Sequence, residues 1–110
     1  IVVGFDSANG VLEAFTVPEA GPLERRWRRE QNHGSHMVLW ADTGELLTDD
    51  FVPDVGDHAV VLDVETGEEK GRVATGSPVQ SVLFPAPGFQ RDAYTCTFTT
   101  LTRVFVAEGS

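Results

Sequence analysis

The chain has 110 residues, 41% of them hydrophobic, with 17 Asp and Glu against 8 Lys and Arg and a net charge of −9. That length supports one real core, while the dispersed acidity argues against a phosphate-binding surface, which needs clustered Lys and Arg; no nucleic-acid partner is expected. No apolar run approaches the ~20 residues that cross a bilayer, so no membrane partner is expected either, and Cys96 as the single cysteine excludes an intrachain disulfide.

Runs of β-branched and aromatic residues bounded by turn residues predict ten strands, and no segment sustains a helical period. The first covers residues 1–5. After the turn Asp6-Ser7-Ala8-Asn9-Gly10 comes a strand over 11–17, then a loop over 18–22. The third strand, 23–30, carries Arg25-Arg26-Trp27-Arg28-Arg29, which reads as an outer strand showing alternate arginines to water. Past Asn32-His33-Gly34 lie a strand over 36–41, the turn Asp42-Thr43-Gly44 and a strand over 45–51. A loop over 52–57 leads to a strand over 58–64, the turn Glu65-Thr66-Gly67 and a strand over 68–74. Strands over 79–84, 93–100 and 103–107 complete the set, with little turn chemistry near Leu101. Cys96 alternates with Tyr94 and Phe98 and reads as a core residue. Thr95, Thr97, Thr99 and Thr100 read as strand formers. Neither Ser77 nor Ser81 stands in a nucleophile context.

Val38-Leu39-Trp40-Ala41-Asp42-Thr43-Gly44 returns as Val82-Leu83-Phe84-Pro85-Ala86-Pro87-Gly88, and the same offset of 44 carries Val60-Val61-Leu62 onto Val104-Phe105-Val106. A fixed period of this size marks a repeat architecture whose units bury their faces against one another. The expected fold is all-β: a β-propeller segment of about two and a half four-stranded antiparallel blades, at roughly 40 to 50 residues per blade. Strands B, C and D of one blade occupy 1–34, a complete blade 35–76, and strands A, B and C of the next 77–110. A single β-sandwich is the alternative, but it has no reason to repeat at constant offset. A closed propeller needs at least about four blades. The expected partners are therefore the remaining blades of a longer chain or further copies of this one, because unpaired edges drive association.

The turn Asp63-Val64-Glu65-Thr66-Gly67, the hairpin around Asp42-Thr43-Gly44, and Val2-Val3-Gly4-Phe5 followed by Asn9 to Phe15 resemble the quinoprotein-like and YVTN-type propeller repeats, over nearly the whole chain. The likeness implies a fold rather than a reaction. It suggests that Trp27 docks between blades, as a tryptophan does in quinoprotein repeats; 44 residues on stands Gly71. Because of such departures no cofactor is expected, pyrroloquinoline quinone included.

The resemblance also implies that ligands meet the mouth of a central channel, on the loops over 6–10, 32–36, 49–58 and 75–78. His33, His36 and His58, all three histidines of the chain, fall there with Asp49, Asp50, Asp54 and Asp57. The ligand-binding candidates are accordingly His33, His36, Asp50, Asp57 and His58, a residue set suited to a transition metal or to acid–base work. The bland reading is that His36 caps the inner strand and His33 bonds the loop backbone. Asp54-Val55-Gly56-Asp57 lacks the alternating ligands of a calcium loop and reads as a turn. The function expected is a ligand- or protein-binding scaffold, with a propeller enzyme bearing a His/Asp site as the alternative. The sequence decides neither catalysis nor compartment.

Overall fold

A computed structural model describes residues 1–6, 9–32, 34, 36–77, 82–85, 91–97 and 100–106. Ten strands follow in order: β1 (Val2–Asp6), β2 (Val11–Thr16), β3 (Glu24–Glu30), β4 (Met37–Trp40), β5 (Glu45–Val52), β6 (Gly56–Asp63), β7 (Glu69–Ala74), β8 (Val82–Pro85), β9 (Asp92–Cys96) and β10 (Leu101–Phe105). They pair as antiparallel meanders in three sheets, β1-β2-β3, β4-β5-β6-β7 and β8-β9-β10. The fold is all-β, with no helix among the described residues.

Successive side chains of a strand point to opposite faces, and the middle sheet uses both. On one face Leu46, Val60 and Leu62, with Val64 just beyond β6, pack against Leu12, Ala14 and Trp27 of the first sheet. On the other, Val38, Trp40, Leu47, Ala59 and Val61 meet Leu83, Ala93 and Val104 of the third. There are thus two cores, where a two-sheet sandwich would have one. Leu12, Leu47, Val60 and Leu62 lose all solvent exposure, and each such burial stabilises by about 1.5–3 kcal/mol. Burial on both faces explains why Val60-Val61-Leu62 of β6 is an unbroken apolar run.

Strand β4 touches β8 across the second interface. Among the described residues the first sheet has the three strands β1, β2 and β3, and Met37 and Leu39 of β4 are left 37% and 53% exposed.

The turns follow the local chemistry. Gly67 takes φ +75° and its N–H donates to Asp63 O at 2.8 Å. The Asp63 carboxylate accepts from Glu65 N at 2.8 Å and Thr66 N at 3.3 Å, and the Thr66 hydroxyl accepts from Glu68 N. This is the side-chain support that Asp and Thr give a turn.

Four expectations change. The loop over 52–57 is a tight hairpin: pairing runs from Asp49↔Ala59 to Val52↔Gly56, and Val55 N donates to Val52 O. Continuing the ladder satisfies backbone groups that a loop would leave open. The threonine run is not all strand, for Thr97 N donates to Thr100 O and the two hydroxyls lie 2.6 Å apart, closing a turn before Leu101. Cys96 is half-buried, its thiol donating to Thr97 O. The arginines of β3 do not simply face water, since Arg26 pairs with Glu65 and Arg29 with Glu69 of the next sheet. Of the residues singled out in the sequence, Ser7, Ala8, His33, Ser35, Ser81, 86–88, Phe98, Thr99 and Ala107 lie outside those described.

Candidate functional site

The hairpin geometry redistributes the nominated residues. Asp50 and His58 are cross-strand partners on β5 and β6, so their side chains share the face that meets the first sheet. Asp57 pairs with Phe51 and belongs to the opposite face, where its N–H donates to Ser77 O at 3.0 Å. His36 is exposed just before β4, and its carbonyl accepts a long bond, 3.5 Å, from the Thr48 hydroxyl. His33 is outside the described residues. The structure therefore brings Asp50 and His58 together, with neither Asp57 nor His36 beside them on that face.

Asp50 is 4% exposed, and both of its oxygens are engaged. One accepts from the Asn32 N–H at 3.0 Å and the other from Arg72 Nη1 at 3.1 Å. Arg72 also grips Glu69, which in turn accepts from Arg29 of the first sheet. The Arg72 bonds hold the Glu69 carboxyl below its ordinary range, with burial opposing and Arg29 adding to the effect. The bond to Glu69, more than that to Asp50, raises Arg72. Next to this network Gln31 Nε2 donates to the Thr48 hydroxyl and to Asp49 O. An arrangement in which both Asp50 oxygens and the Glu69 carboxylate are held by Arg72, Arg29 and the Asn32 N–H ties two sheets together. His58 differs, for its Nδ1 is shielded from solvent and has no hydrogen-bond partner among the described residues.

Two further groupings lie between the sheets, and the first of them escaped the sequence reading. Glu45, 1% exposed, accepts a two-pronged grip from Arg91, at 2.7 and 3.0 Å, and a third bond from Lys70 at 2.7 Å. Burial pushes this carboxyl up, but the bonds from Lys70, Arg91 and Thr43 outweigh it and leave the group below its ordinary value. Arg91 makes this contact from a left-handed backbone, φ 57°, which costs on the order of 1 kcal/mol or more outside glycine. Only a position after a Gly turn could have hinted at Glu45, since its partner lies 46 residues away.

The second grouping is Trp27. Its indole N–H donates to Val64 O at 2.8 Å, and its ring fills the space above Gly67. At the matching place of the second interface stands Gly71, beside a cavity of about 240 Å³. Among the described residues no three His, Cys, Asp or Glu side chains converge as metal ligands. The chain matches no protein-family model, no curated protein and no solved structure.

Proposed function

We propose that this chain is a run of β-propeller blades acting as a binding scaffold, in which the buried acids serve architecture rather than chemistry. The observation that carries the reading is Asp50: its carboxylate is wholly occupied by the Asn32 N–H and Arg72, which link the first sheet's exit to the middle sheet. The propeller interpretation is supported by three meander sheets stacked in chain order and by the 44-residue offset, which takes Val60 to Val104, each buried toward the preceding sheet. The partners in this reading are further blades, from a longer chain or from copies of this one. Val82, Phe84 and Phe105 on the third sheet and Leu39 on β4 are the apolar surface they would cover. Light scattering on the purified chain tests this: a discrete oligomer supports it, and a stable monomer at high concentration speaks against it.

A second reading, part of a propeller enzyme with a His/Asp site, draws on His58, whose shielded Nδ1 lacks a partner next to Asp50. Unpaired buried nitrogen of this kind calls for an explanation. A thermal shift with Zn²⁺ that disappears in His58→Ala would favour this reading over the scaffold.

A further inference from the structure

Both sheet interfaces bury apolar residues of facing sheets, and one difference between them falls at positions 44 residues apart on β3 and β7. In the first, Trp27 reaches from the outer strand β3 into the middle sheet and is 9% exposed. In the second, the residue at the same offset on the outer strand β7 is Gly71, and the volume beside it stays open. Gly71 pairs with Val61, which faces the third sheet, so a side chain there would enter the interface. A Cβ built on Gly71 meets nothing within 4 Å. The cavity of about 240 Å³ is walled by Ala59, Val61, Val73, Val104 and Val106.

The geometry points to a binding site for an uncharged planar aromatic ligand of indole size, seated between the second and third sheets where the first interface carries its own tryptophan. Size and charge both select that class. An apolar cavity of ~150 Å³ accepts a single benzene ring, so this one suits a fused bicycle. Each charge on its wall already sits in an ion pair, Glu45 with Lys70 and Arg91, and Arg72 with Asp50 and Glu69. Among the described residues a charged ligand would have to compete with one of these pairs, whereas a neutral ring gains apolar contact from the Val61 and Val104 sides alike. The site needs only the second and third sheets, so it stands or falls separately from ring closure.

The test is titration of the full chain with indole, followed by amide chemical shifts. Saturable binding with Kd on the order of 1 mM or tighter, with shifts centred on Val61, Val73 and Val104, is the expected result. Gly71→Trp supplies the ring from the chain itself and should weaken indole at least tenfold; Gly71→Leu, a smaller filling, guards against misfolding of the first variant. Indole-3-acetate should bind more weakly than indole. No saturation, shifts elsewhere, indole affinity unchanged in a folded Gly71 variant, or tighter binding of the acetate would each overturn the assignment. Light scattering on the same sample reads assembly separately, so the failure of one proposal does not imply the failure of the other.

Discussion

The indole N–H of Trp27 donates to Val64 O at 2.8 Å while its ring lies where a side chain on Gly67 would have to go. One residue of the first sheet thus recognises both the carbonyl and the glycine of a turn in the second. A Cβ at Gly67 would come within 2.5 Å of the ring, at a φ of +75° that disfavours any L side chain. Gly67→Ala should destabilise the chain by about 1–3 kcal/mol. Trp27→Phe should cost ~1 kcal/mol for the lost hydrogen bond, and Trp27→Ala about 3–5 kcal/mol. Combined, Trp27→Ala and Gly67→Ala should cost less than their sum, because removing the ring relieves the clash; a double-mutant cycle in urea reads this.

Acid should weaken the chain through Glu45 and Glu69. Both carboxyls sit below their ordinary value of 4.5 in the folded state. The unfolded chain therefore takes up protons first, and the stability these groups contribute is complete above that value and lost as pH falls through the lower folded ones. Melting temperature should be flat from pH 7 to about 5 and drop below about 4.5. The Glu45→Gln variant should show a shallower drop and start from lower stability at pH 7. An equal acid drop in wild type and variant would remove Glu45 from this account.

Replacing Glu45 should weaken the contact between the second and third sheets. Removing one partner of a buried ion pair costs about 3–5 kcal/mol. Here the Lys70 and Arg91 side chains are 40% and 22% exposed and can regain water, so Glu45→Ala should cost about 2 kcal/mol. Hydrogen exchange should report it as lost protection in β8–β10, with the first sheet little changed.

Asp50→Asn separates architecture from chemistry. The amide can still accept from the Asn32 N–H but cannot balance Arg72, so a loss of about 1–2 kcal/mol is expected. If Asp50 serves structure, any ligand affinity of the folded variant should match wild type within twofold. Affinity lost without loss of stability would return Asp50 to the list of binding residues.

Val82→Glu probes association. Val82 is 48% exposed on the uncovered face of the third sheet, and an exposed substitution of this kind changes stability by only ~0.5 kcal/mol. A shift from oligomer to monomer in light scattering, at unchanged melting temperature, is the expected outcome.

The strands were legible because each carries its own signal: a period of two, or an unbroken apolar run, ending at Gly44 or Gly67. The site was less so. Pro53, Asp54 and Gly56 spell a loop, yet the ladder runs on to Val52↔Gly56 and makes Asp57 a strand residue opposite Phe51. Local composition does not report register, which the whole hairpin decides. Glu45 and Arg91 escaped for a different reason: neither position looks buried alone, and only the stacking of two sheets removes water from the carboxylate. Trp27 was visible through the resemblance to propeller repeats, which implied a docking tryptophan, while the offset showed only that Gly71 departs from it.

The two interfaces open at opposite edges of the middle sheet. The first is pinned at its outer strand, where Arg26, Trp27 and Arg29 all reach the middle sheet, and it gapes near β4, where Ile1, Val3 and Leu39 line an opening. The second is joined at the inner strands β4 and β8 and gapes beside Gly71. The middle sheet therefore has an opening beside each of its two edge strands, so a group that enters the first meets β4 and one that enters the second meets β7.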